Sequence, residues 1–289
     1  MSKQNRHRDI NGLNCCAPAR TDVVDWSGFL GPSAAGGKSS PIDGFYDSQT
    51  LLIRAAAAID QADFDADING LIAGQLFLGY VSATELYLRQ TVATLVTICP
   101  VTRRMNSDQT VAFGAVDFYS RGDLAMALTE QISFTEAGKI RNQLKTRLGI
   151  EVQGKDSLER AISDFETVCH LRHALVHSHG RMNSRNAAQF LATTTARDSQ
   201  ARFDIAGLDD AASVSVNLVR EVNLEVLRHV VWTWIQTGEL DGDRRSTRRK
   251  VSRLLAAVAS ARDAAQGLVA IDEAAVTDTV MAVIGATHK

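Results

Sequence analysis

The sequence turns on FETVCHLRHALVHSHGRMN, residues 165–183. Four of the seven histidines (His170, His173, His177 and His179) fall within it, and Arg172 stands among them. Upstream, Asp156 followed by Glu159 reads as a helix N-cap with its capping-box partner, and Gly180 stands where a helix stops. A helix over about 156–179 is the expectation. At about 100° per residue, Leu158, Ile162, Phe165, Cys169 and Val176 share one apolar stripe. Arg172 falls in the middle of that stripe. Beside it runs a second line, Glu166, His170, His173 and His177, at spacings of four, three and four. A guanidinium on a face meant for a core or an interface is costly unless an anion meets it.

Working outward, the rest of the chain reads as helical. No proline follows Pro100. A long helix over Ile68–Ile98 ends at that proline and is apolar over much of its circumference, as a central bundle helix is. Within it Glu85 and Arg89 lie one turn apart, either as an intrahelical pair or with Glu85 reaching a neighbouring helix. Before it comes a short helix, Gln49–Ile59, and a solvated acidic turn that lacks the glycine and distal glutamate of a calcium loop. After it, Asp117–Glu130 and Phe134–Leu148 read as helices. Ser133 with Glu136 caps the second, and Gly149 ends it. Residues 186–217 are more polar, with Ala201–Ile205 and Ser213–Val216 open between short strand and extended loop. Val219–Thr237 is a further helix whose Trp232 and Trp234 point in different directions, one toward a core and one toward an interface. The expected fold is all-α. An irregular arm (1–48, with Trp26 and Phe29 as its anchors) precedes a helical bundle (49–240), then a basic linker and C-terminal helices (241–289).

Composition narrows the function classes. A net charge of −2 over 289 residues gives no global nucleic-acid signal, so polyanion binding must come from a local patch. The run Arg244, Arg245, Arg248, Arg249 and Lys250 is such a patch; it either funnels RNA or is simply solvated, and no aromatic residue interleaves it for base stacking. The four cysteines fit neither a disulfide framework nor zinc spacing, which points to a reducing, cytoplasmic setting. The N-terminal segment lacks a secretory apolar core, and the run over 71–81 reads as too short to span a bilayer, so no membrane partner is expected. Gly36-Gly37-Lys38-Ser39 resembles a phosphate loop, but glycine follows Gly36 where that motif requires lysine, and no apolar strand precedes it.

Arginine and histidine are the pair that metal-free RNA cleavage needs. A base takes the ribose 2′-hydroxyl proton, an acid protonates the leaving 5′-oxygen, and a cation steadies the phosphorane charge. Arg172-His173-Ala174-Leu175-Val176-His177, continuing to Gly180, resembles the arginine–x4–histidine motif of the HEPN superfamily. These are small helical-bundle proteins, many of them RNases of toxin–antitoxin, abortive-infection and CRISPR systems. The resemblance spans about 66–237. It departs from the family at His173, where a small polar residue is usual. It implies a homodimer in which two motif helices face each other across a twofold axis. Arg172 would then hold the scissile phosphate and His177 would be the acid–base group, with His173, Glu166 and His170 in support. RNA would be the substrate, an antitoxin or defence-system partner would be expected, and neither metal nor cofactor would be required.

Other readings of the same residues stand beside this one. Arg172 can be a snorkelling or salt-bridged helix-interface residue, and His177 can complement the helix dipole. The line of Glu166, His170, His173 and His177 has the spacing of a helical metal site, though acids from a second helix are then needed. A non-catalytic module that keeps the fold for dimerisation, or for RNA or nucleotide binding, is the main rival. Regular geometry also sets a problem. Residues five apart diverge by about 140°, so Arg172 and His177 share a face only where the last turn before Gly180 loosens.

Overall fold

The computed structural model describes residues 26–31, 39–62, 64–183 and 199–287. They fall into two units, Met1–Lys38 and Ser39–Lys289. The first contributes one 3-10 turn, Trp26–Phe29. Phe29 is 82% exposed there. The stretch 36–38 lies outside the described residues, as do Cys15 and Cys16.

The second unit is all-α. Its helices are α1 Pro41–Asp60, α2 Ala66–Ile98, α3 Pro100–Met105, α4 Phe113–Phe118, α5 Ala137–Leu148, α6 Asp156–Ser178, α7 Ile205–Gln236, α8 Arg244–Val258, α9 Ala261–Ala265 and α10 Glu273–Thr287. Among the described residues there is no strand, only an isolated antiparallel bridge between Arg181 and Gln200. Three long helices set the frame. Tyr87 of α2 donates to the Val219 carbonyl of α7 at 3.1 Å, and the Trp234 indole near the end of α7 meets Cys99 just past the end of α2. Those two helices therefore run parallel. The motif helix α6 runs against both: Lys155 and Ser157 at its start pair with Glu225 and Glu221 of α7, whereas Leu175 near its end packs on Gly74 near the start of α2. A Cβ at Gly74 would meet Leu175 at 3.4 Å, an ordinary van der Waals contact. Phe45, Phe77, Tyr80, Leu88, Leu158, Ile162, Phe165, Leu218, Val222 and Val226 are buried in one shared core. Truncating a residue such as Phe165 there costs about 3–5 kcal/mol.

Several boundaries differ from the sequence expectation, each for a local reason. The first helix begins at Pro41 rather than Gln49, because Ser40 caps the Asp43 amide and a proline at the first helical position has its φ already set. The stretch expected as one helix over 117–130 divides into α4 and a 3-10 turn, Leu124–Thr129, since Ser120 bonds Asp123 and turns the chain. Ser133 does not cap α5; its hydroxyl meets Thr135, and α5 starts at Ala137. Lys155, not Asp156, is the N-cap of α6, and Asp156 contributes charge to the first turn instead. Ser213–Val216 is helical. Asp204 caps α7 through the Gly207 amide at 2.7 Å, and the buried positions Leu208, Ala211, Ser215, Leu218 and Val222 keep one helical period throughout.

The C-terminal boundary also moves. Arg244–Lys250 is not a linker but the opening of α8, capped by Asp243 on the Ser246 amide. Val251, Leu254, Leu255 and Val258 of α8, with Val280 and Ile284 of α10, belong to the same core as α2 and α7. The C-terminal helices are part of the bundle, and 240 marks no division. By length and composition α2 is apolar enough to cross a membrane, which corrects the reading of its apolar run as too short. Here half of that apolar window is buried: Phe77, Tyr80, Tyr87, Leu88 and Leu95 are at most 2% exposed, whereas Leu71 and Leu86 face outward.

Candidate active site

The motif helix carries its stripe as expected through Leu158, Ile162, Phe165 and Cys169, all buried. The stripe then surfaces. Arg172 is half-buried and Val176 is 44% exposed, so this end of α6 faces outward. Arg172 borders a cleft between α6 and the segment before α5. Its other walls are Cys169, Glu166, His170 and His173 from α6, with Thr135 and Glu136 opposite. Among the described residues no hydrogen bond or ion pair closes on the Arg172 guanidinium. The salt-bridged reading of this residue therefore finds no partner there.

The last turn does not loosen. α6 stays α-helical to Ser178, and the chain then leaves through two left-handed residues, His179 (φ 49°) and Gly180 (φ 84°). The Gly180 amide returns to the Ala174 carbonyl at 3.0 Å. A side chain at Gly180 would be strained, and its Cβ would lie 3.1 Å from the Ala201 carbonyl oxygen. Arg172 and His177 consequently diverge within one chain. His177 packs instead on His173, with ring centroids 4.6 Å apart and planes tilted by 46°. The structure thus brings Arg172, His173, His170 and Glu166 to one cleft, and attaches exposed His177 to its rim through His173.

Glu85 positions the opposite wall. It pairs with Arg89 at 3.1 Å and accepts the Phe134 amide at the same distance. Arg89 in turn donates to the carbonyls of Thr129 and Glu130. The intrahelical pair is present, and Glu85 reaches the irregular segment before α5 rather than a neighbouring helix; together these bonds fasten the segment bearing Thr135 and Glu136 onto α2. That segment was legible only as a cap. Glu136 itself pairs with Lys139.

Cys169 is no nucleophile. Burial pushes its thiol up to about 12, with Glu166 reinforcing the shift, Arg172 opposing it, and Glu85 and Glu136 adding to it. Among the described residues no three His, Cys, Asp or Glu side chains converge closely enough to hold a metal ion.

The basic run is mostly occupied. Arg244 pairs with Asp278, Arg248 with Glu273 at 2.7 Å, and Lys250 donates to the Glu239 carbonyl. Arg245 and Arg249 remain exposed. Comparison of the chain with family models, with curated proteins and with solved structures gave no match.

Proposed function

We propose that the protein is a metal-independent endoribonuclease of the HEPN type, cytoplasmic and active as a homodimer, serving as a toxin or in antiviral defence. The observation that carries this reading is the half-buried Arg172, unpaired among the described residues, in a cleft beside two imidazoles. A guanidinium fork suits phosphate oxygens, and histidine suits proton transfer near neutral pH. Since Arg172 and His177 diverge on a regular helix, the proposed site takes its arginine from one copy and its histidine from the other. The outward-facing end of α6, with Val176 exposed, is the surface that would meet the second copy. In the proposed step Arg172 holds the phosphate, and His177 takes the 2′-hydroxyl proton. His173, stacked on His177, keeps that ring in place. The same imidazole, now protonated, returns a proton to the leaving 5′-oxygen, so each site uses one Arg172 and one His177.

One observation favours a second reading. His177 touches His173 rather than the Arg172 cleft, and a chain that used the fold only to dimerise or to bind RNA would show the same. Incubation with total RNA, with and without EDTA, separates the two. EDTA-resistant cleavage that disappears in both Arg172→Ala and His177→Ala supports the nuclease. A folded dimer that leaves RNA intact favours the binding module. An oligonucleotide lacking the 2′-hydroxyl stays uncut under the first reading, and its cleavage would exclude the mechanism.

A further inference from the structure

The ten residues 244–253, RRSTRRKVSR, hold six of the chain's 31 lysines and arginines and no acid. Folded as the first turns of α8, they divide into two sets. Arg244 and Arg248 lean on α10 and are met by Asp278 and Glu273, while Lys250 is drawn to the Glu239 carbonyl. Arg245, Arg249 and Arg253 are exposed, and among the described residues none has an acidic partner. Their spacing of four places them one turn apart, about 6 Å along the axis from one to the next. They lie on the side of α8 opposite the buried Val251, Leu254, Leu255 and Val258.

Local physics disfavours this arrangement. Like charges four apart on a helix repel, and cations in the opening turn oppose the helix dipole. α10 supplies acids for the inner arginines, and among the described residues none meets the outer row. Violations of a local rule on an otherwise consistent helix are where a ligand is to be sought. A membrane is the poorer fit, since the apolar face of α8 is consumed by the core and the outer face has no aromatic or aliphatic anchor. Evenly spaced guanidinium forks fit a chain of phosphates instead.

We infer that Arg245, Arg249 and Arg253 form a contact row for the phosphodiester backbone of single-stranded RNA. The identification of the polyanion as RNA rests on the ribonuclease reading, whereas the row itself does not require an active cleft. The test therefore uses a 2′-O-methyl oligonucleotide of about 20 nucleotides, which carries the phosphates but no 2′-hydroxyl to attack. Its affinity for the full chain is measured by fluorescence anisotropy across a salt series. Three single-strand phosphate contacts contribute about 0.7 each to the slope of log affinity against log salt. The triple variant Arg245→Gln, Arg249→Gln, Arg253→Gln should flatten that slope by about 2 and weaken binding roughly 10- to 100-fold at 0.1 M salt. The pair Arg244→Gln, Arg248→Gln should leave the slope unchanged, and thermal melting confirms that both variants fold. Equal slopes for the wild-type chain and the triple variant overturn the inference. So does binding to phosphatidylserine vesicles with none to the oligonucleotide. Loss of cleavage in Arg172→Ala with the slope difference intact supports the row independently of the cleft.

Discussion

Two regions of this bundle place arginine at a helix interface, and they treat it in opposite ways. Where α9 meets α1 and α7, Arg220 donates to the Tyr46 hydroxyl at 2.8 Å and to Asp263, and Arg262 donates to the Tyr46 carbonyl and the Thr50 hydroxyl. Both guanidinium groups lie 5.7 Å from the centre of the Tyr46 ring. Asp43 completes the clamp by accepting from the Ser260 hydroxyl and the Ala261 amide. At the outward end of α6, Arg172 borders a cleft and has no hydrogen-bond or ion-pair partner among the described residues. An arginine whose donors are filled by its own chain holds the fold together. One left open among histidines is available to a ligand.

The comparison breaks most visibly at Arg172. Its replacement by alanine should lower RNA cleavage by about 100-fold or more while changing stability by less than about 1 kcal/mol, read by a cleavage assay beside urea unfolding. A loss of several kcal/mol would move Arg172 to the structural side. Glu225→Ala should do the reverse. It leaves Lys155 without its carboxylate at the start of α6 and should cost about 2 kcal/mol, with activity per folded molecule retained. The Asp43 clamp sharpens the contrast through pH. Burial raises the Asp43 pKa, but hydrogen bonds from Ser260, Ala261, Arg262 and Ser40 outweigh it and hold the carboxyl below its ordinary value of 3.8. A depressed folded value means the stabilisation is complete above pH 3.8 and disappears as pH falls through the folded value. Asp43→Asn should cost about 1 kcal/mol at neutral pH and flatten the acid limb of the stability profile. The smallest effect is expected at Glu85→Gln, which retains an acceptor for the Phe134 amide and loses the charge facing Arg89. Stability should drop by about 0.5 kcal/mol, and cleavage should fall a few-fold as the wall bearing Glu136 loosens.

How much of this was legible depended on whether a signal was local. The apolar stripe of α6, the long central helix and the stop at Gly149 all follow from periodicity and capping within one segment. The start of α7 was missed because Asp209, Asp210 and Asn217 make the outer face polar, hiding an inner row that Leu208, Ala211, Ser215 and Leu218 continue. The docking of α8 and α10 was missed because amphipathicity says that a face is buried but not against what. At the site, Arg172 was legible as an anomaly within a stripe. Its openness was not, since absence of a partner is a property of the other helices. Thr135 and Glu136 reached the cleft through Glu85, some fifty residues earlier in the chain, and no spacing rule links the two.

The most direct test mixes subunits. Arg172→Ala and His177→Ala chains, each inactive alone, are combined, unfolded and refolded together, and assayed on RNA in EDTA. A site built from the arginine of one copy and the histidine of the other predicts that the mixture regains a substantial fraction of wild-type cleavage. A mixture as inactive as its components, from chains shown to form mixed dimers, would contradict the shared site.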